Sequence, residues 1–193
     1  MGLKEKNKWG FFAAVTIVGF FADWITKHLV MQNMSVGSTI PIITPYLEFF
    51  FVFNKGALFG LNPQDFIPGI PVNLFFYVFS AIAIVLLLFY YHHLKTESGW
   101  VFWGIALIMP GALGNLFDRV VHPHQGVVDF LKVDLNFWPL NPWPIFNIAD
   151  ILITVGVGLV LVDFIREEIS RKSEQKPETK SSSQPDVSQS LHE

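Results

Sequence analysis

The sequence predicts an integral membrane protein: an all-α core of four transmembrane helices, with a small β-rich block on the extracytoplasmic side between spans one and two. Three observations predict it. The 193-residue chain is 51% hydrophobic with 15% charged residues and has a mean hydropathy of +0.43, whereas a soluble domain carries about 25% charged residues. Four apolar runs reach the roughly 20 residues a helix needs to cross a bilayer. Between the first two, β-branched and aromatic residues broken by Pro and Gly replace the helical pattern.

The first span is expected at Trp9–Val30. Lys4, Lys6 and Lys8 precede it as in a secretory signal peptide. Its length, its internal Asp23 and the lack of a small-x-small cleavage site identify a retained span instead. The block at 35–60 contains GSTIPIITPYLEFFFVFNKGALFG and is expected to form short strands. Rings from Phe49–Phe53 suit the membrane surface, and Asn54 with Gly56 suits a turn. A Pro- and Gly-rich loop at 61–71 leads into the second span, Pro71–Tyr91, which carries no charge. The third span is expected at Trp100–Val120 and the fourth at Phe146–Arg166, with a Pro- and Trp-rich loop at 136–144 between them. Residues 1–170 form one membrane domain in this reading. The Ser-, Lys-, Gln- and Pro-rich segment 171–193 is expected to be a disordered cytoplasmic tail.

Lys and Arg concentrate before span one, between spans two and three (Lys95) and after span four (Arg166, Arg171, Lys172, Lys176, Lys180). Positive-inside bias therefore places both termini in the cytoplasm. A formal net charge of −3 without a basic face excludes a nucleic-acid partner. The absence of cysteine removes disulfides, thiolate nucleophiles and cysteine-held metals. His122 and His124 form an H-x-H pattern without a clear third ligand, H-E-x-x-H is absent, and Ser80 has no evident base, so neither a metal site nor a serine nucleophile is expected. No cofactor is expected.

Topology sorts the polar residues. Asp23 and Lys27 lie near the exit of span one, Asn115, Asp118 and Arg119 at the exit of span three, and Asn147 and Asp150 at the entrance of span four. These ends share one face of a four-span protein. Asp129 joins them from the loop between spans three and four, and Asn54 and Gly56 from the β-rich block. Ionisable groups at such positions cost a few kcal/mol and read first as a functional site. Two close carboxylates share a proton, so one can take a proton from water while the other polarises a carbonyl and protonates a leaving amine. Asp129 and Asp150, neither beside a cation in sequence, suit aspartyl peptide hydrolysis.

Simpler roles compete for the same residues. Asn147 and Asp150 also have N-cap spacing, Asp23 and Lys27 also pair at i, i+4, and Asp118 and Arg119 also suit a structural ion-pair network. Asn115 shares a face with Gly111 and Arg119, where it orients a substrate or cross-links helices. Gly111 and Gly114 suit close helix packing. A small transporter would place its acids nearer the midplane, and a non-catalytic assembly partner would tolerate Asp→Asn changes.

At these motifs the sequence resembles bacterial lipoprotein signal peptidase, also called signal peptidase II. The matching segments are DWITK at 23–27, NKGALFG at 54–60, GALGNLFDR at 111–119, GVVDF at 126–130 and FNIAD at 146–150, in family order. The resemblance implies that Asp129 and Asp150 form a catalytic dyad and that the 35–60 block is an extracytoplasmic β-cradle. It implies a substrate: a prolipoprotein whose signal peptide is cut before a diacylglyceryl-modified cysteine, drawn from the membrane lipid. It also implies inhibition by cyclic peptides of the globomycin type, and a site supported by Asp23, Lys27, Asn54, Gly56, Asn115, Asp118, Arg119 and Asn147. A monomer in the bacterial inner membrane is expected. Pro110, where the family usually has Gly, and Ile151, where it often has Ser, depart from the pattern without removing a carboxylate.

Overall fold

A computed structural model describes residues 7–56, 64, 67–94, 99–134 and 143–174. Four helices dominate: α1 (Lys8–Asn33), α2 (Val72–His93), α3 (Gly99–Val121) and α4 (Ile148–Glu174). Each is long and apolar enough to cross a membrane. Their outer faces leave Ile17, Val85, Phe89 and Phe164 more than half exposed, a surface that suits hydrocarbon rather than water.

α3 is the central post, packing against α1, α2 and α4. Small residues let it approach α4. A Cβ added at Gly104 would stand 2.6 Å from the Gly156 carbonyl oxygen, and one at Gly111 would stand 2.5 Å from that of Ala149. Both distances are too short for any side chain. Gly111 thus has the packing role its sequence context suggests, whereas Gly114 leaves room for the Asp23 carboxylate. Pro110 lies inside α3, and its ring fills the space that Gly19 of α1 leaves open. Neighbouring helices of this kind make an intramembrane proline tolerable.

At the end of the bundle nearest the N-terminus, Phe12, Tyr91, Phe102, Ile105 and Met109 form an apolar cluster. Buried Lys8 donates to the carbonyls of His92 and Leu94 at 3.0 and 3.2 Å, satisfying acceptors that the end of α2 leaves free. Tyr91 Oη in turn donates to the Lys8 carbonyl at 2.8 Å.

The opposite end carries the sheet. Strands β1 (Thr39–Ile43) and β2 (Leu47–Asn54) fall within the block expected to be β-rich; residues 57–60 of that block lie outside the described residues. A third strand, β3 (Val127–Val133), comes from the connection between α3 and α4. The order is β1-β2-β3, all antiparallel. Phe51, Val128 and Phe130 bury under the sheet with Val30 of α1, and Phe49 and Phe53 pack against them. Three rings of the Phe49–Phe53 run therefore serve the core and not only the membrane surface. The chain leaving toward α4 returns to β3, where Phe146 exchanges backbone hydrogen bonds with Leu131 at 2.8 and 3.1 Å.

α4 runs to Glu174, past the boundary expected of the tail. Glu167–Arg171 and Glu168–Lys172 pairs at i, i+4 favour the extra turn. The remainder of the expected disordered tail, 175–193, lies outside the described residues, as do residues 61–63, 65 and 66 of the 61–71 loop and residues 136–142 of the 136–144 loop.

Candidate active site

The sheet and the ends of three helices bring the polar site residues singled out by sequence to one place. β2 and β3 set Val52 opposite Asp129 and Asn54 opposite Val127, so Asn54 reaches diagonally to the acid. Its Nδ2 donates to Asp129 Oδ2 at 2.8 Å, while its Oδ1 accepts the Gly56 N–H at 2.9 Å, the turn expected of these two residues. Gly126, at φ +97°, immediately precedes β3 and lies against the Asn54 backbone, where no Cβ fits.

The Phe146–Leu131 bridge delivers Asn147 beside Asp129. Asn147 Oδ1 accepts the Asp150 N–H at 3.0 Å, and Asp150 Oδ2 accepts the Asn147 N–H at 3.1 Å. This reciprocal pair is a capping box that starts α4. The N-cap reading and the site reading of these residues thus hold together: the same amide, through Nδ2, donates to Asp129 Oδ1 at 2.7 Å. Asn147 therefore touches both acids. Asn115 completes the ring, its Nδ2 donating to Asp150 Oδ1 at 2.9 Å and its Oδ1 accepting from Asn147 at 3.1 Å.

Beneath this ring lies a buried charge cluster. Lys27 Nζ contacts Asp23 Oδ2 at 2.7 Å, Asp118 Oδ2 at 2.9 Å and Asn115 Oδ1 at 3.2 Å. The second oxygen of Asp23 accepts the Ala149 N–H at 2.8 Å, and Asp118 accepts the Val128 N–H at 3.0 Å. One cation between two carboxylates thus ties α1 and α3 to the start of α4 and to β3. Asp118 pairs with Lys27 rather than with Arg119, because successive residues of a helix do not face each other.

Arg119 instead donates to the carbonyls of Asn115 and Gly56 at 3.2 and 2.9 Å. Its guanidinium lies 4.1 Å from the centre of the Phe76 ring, and its own carbonyl accepts from Tyr77 Oη at 2.7 Å. Phe76 and Tyr77 are supports that the sequence did not reveal, since an aromatic pair in a charge-free span reads as lipid-facing. The guanidinium is close enough to attract both Asp129 and Asp150.

Asp129 is 2% exposed. Burial first, and the neighbouring Asp150 carboxylate second, push it up to about 7, against the opposing pull of the Asn54 and Asn147 hydrogen bonds and of Lys27. One acid of the pair can thus hold a proton near neutral pH, the condition for acid–base work by two carboxylates. From Asp150 an apolar groove of about 480 Å³ extends along α4, lined by Trp143, Pro144, Phe146, Ile151 and Val155. Asp150 is the charged residue among its described lining.

The chain is similar to known proteins along most of its length. Residues 15–166 match the family model described as Signal peptidase (SPase) II. A lipoprotein signal peptidase of Geobacter sulfurreducens is 36% identical over 163 residues, covering 84% of this chain and 96% of that protein. One of Clostridium tetani is 31% identical over 154 residues, covering 80% and 92%. A solved bacterial membrane enzyme superposes with a TM-score of 0.71 at 25% identity, covering 89% of this chain and 95% of that one. The chain belongs to the signal peptidase II family and is a multi-pass membrane peptidase.

Proposed function

We propose that the protein removes the signal peptide from diacylglyceryl-modified prolipoproteins, hydrolysing the bond before the lipidated cysteine with a water activated by Asp129 and Asp150. The observation that carries this reading is the pair of electrostatically interacting carboxylates, held by three asparagine amides next to an apolar groove. Asp129, with its raised proton affinity, serves as the acid, and Asp150 as the base. Water held between them loses a proton to Asp150 as its oxygen bonds to the scissile carbonyl carbon, and Asp129 hydrogen-bonds the carbonyl oxygen. Collapse of the tetrahedral species breaks the C–N bond, and the proton gained by the dyad passes to the leaving amine. The oxygen of the water ends in the signal peptide's new carboxylate, and the lipidated cysteine keeps the amine.

The groove beside Asp150 suits apolar parts of the substrate supplied laterally from the bilayer, while Asn54, Arg119 and the sheet meet the peptide backbone. A cyclic peptide of the globomycin type would occupy the same space. The positive-inside bias supports an extracytoplasmic site and cytoplasmic termini, and nothing in the reaction requires more than one chain. The test is cleavage of a diacylglyceryl-modified prolipoprotein by wild type, Asp129→Asn and Asp150→Asn, with folding followed by thermal unfolding in detergent. Both variants are expected to fold and to lose at least about 100-fold in rate; near-normal cleavage by either would remove that acid from the mechanism.

A further inference from the structure

The three amides around the acids share a logic. Each has its oxygen turned to a donor and its NH2 turned to an acid. For Asn54 the donor is the Gly56 N–H, and for Asn147 it is the Asp150 N–H; both are backbone groups that the local turn or cap supplies. For Asn115 it is Lys27 Nζ, a side chain from another helix. An ammonium has no acceptor, so it can face only the oxygen of Asn115 and thereby commits the NH2 to Asp150 Oδ1. The remaining partner of that oxygen, Asn147 Nδ2, also serves Asp129 and the Val128 carbonyl. Lys27 is itself 1% exposed and bonds Asp23, Asp118 and Asn115 rather than either acid of the dyad.

We infer that Lys27 is a positioning residue for the hydrolysis: through the Asn115 amide it orients the donor that holds Asp150. Its two ion pairs with Asp23 and Asp118 fix the ammonium in place rather than exhaust its role, since its contact with Asn115 points it toward the dyad. Without the ammonium, the Asn115 amide is free to rotate and present its oxygen to the Asp150 carboxylate, a repulsive contact that moves the base away from the water. The inference rests on the dyad reading above.

A double-mutant cycle separates this from a purely structural role, because residues acting through one another are not additive. Removing Lys27 alone strands two buried carboxylates, so the cycle is run in an Asp118→Asn background, where Lys27→Met leaves only Asp23 without its cation and returns the cluster to its wild-type net charge. In that background Lys27→Met is expected to lower kcat about 10- to 100-fold with KM within about twofold. With Asn115→Ala also present, Lys27→Met is expected to lower kcat by a clearly smaller factor, since no amide is left to orient and only the ammonium's direct attraction for Asp129 is lost. Equal losses with and without Asn115 would overturn the inference. So would an effect confined to KM, or a fall in folded protein with the kcat of the folded fraction unchanged. Asp129→Asn and Asp150→Asn in the same assay keep the readings apart: their activity would sink the dyad, while an additive cycle would sink only the role of Lys27.

Discussion

The raised proton affinity of Asp129 has causes that can be taken apart one residue at a time. Its side chain is buried on a strand, faces a second carboxylate and accepts two amide N–H bonds. A carboxyl with a raised folded-state proton affinity contributes stability that is fully present below its ordinary value of 3.8 and is lost as pH rises through about 7. The thermal midpoint of wild type relative to Asp129→Asn should therefore fall across that interval, as read by detergent unfolding at a series of pH values. The rate should follow in the same direction: kcat is expected to decline as pH rises through about 7, where the acid loses its proton. A flat profile from pH 5 to 8 would contradict the assignment of Asp129 as the acid.

Among elements, the seam between α3 and α4 sets the separation of the site's parts, because Asn115 and Asp118 ride on one helix and Asp150 on the other. Gly104→Leu places a branched side chain against the Gly156 carbonyl. It is expected to cost about 1–3 kcal/mol, measured as a drop in thermal midpoint larger than that of Gly104→Ala. Much at this scale was legible in the sequence. Four helices followed from runs of apolar residues, and the convergence of Asp23, Asn115, Asn147 and Asp150 followed from counting spans. β3 was not legible. Its residues VVDFLKV carry an acid and a lysine in a short run, and what makes them a strand is a partner some 75 positions away, as in the Asn54–Asp129 bond. The pairing of Asp118 with Lys27 was hidden for a similar reason. Sequence puts Arg119 next to Asp118, and only the rotation of α3 against α1 turns the acid to Lys27. Phe76 and Tyr77 carried no signal, since their use depends on which side of α2 meets Arg119.

For the whole molecule, the ends of the bundle differ in chemistry, and that difference carries the expected orientation. One end is closed by Lys8 on the carbonyls of α2; the other holds the sheet and the acids. The chain has no cysteine, so single thiols report sidedness without a background. Ile42→Cys, on the exposed first strand, is expected to react with a membrane-impermeant maleimide in intact spheroplasts. Arg171→Cys, near the end of α4, should react only after permeabilisation. The reverse pattern would put the site in the cytoplasm.

One acid of the pair sits on a strand and the other on a helix. Val128 and Phe130 turn toward the apolar cluster under the sheet, and Asp129 between them turns to the amides. Side chains alternate along a strand, so a shift of one residue reverses every face. The chain's tolerance of length change just after Gly126 therefore has a parity: one added residue would slide the register so that a valine takes the place of Asp129 and the acid is buried in oil, whereas two would return the carboxylate to the right face but about 7 Å along the strand from the amides.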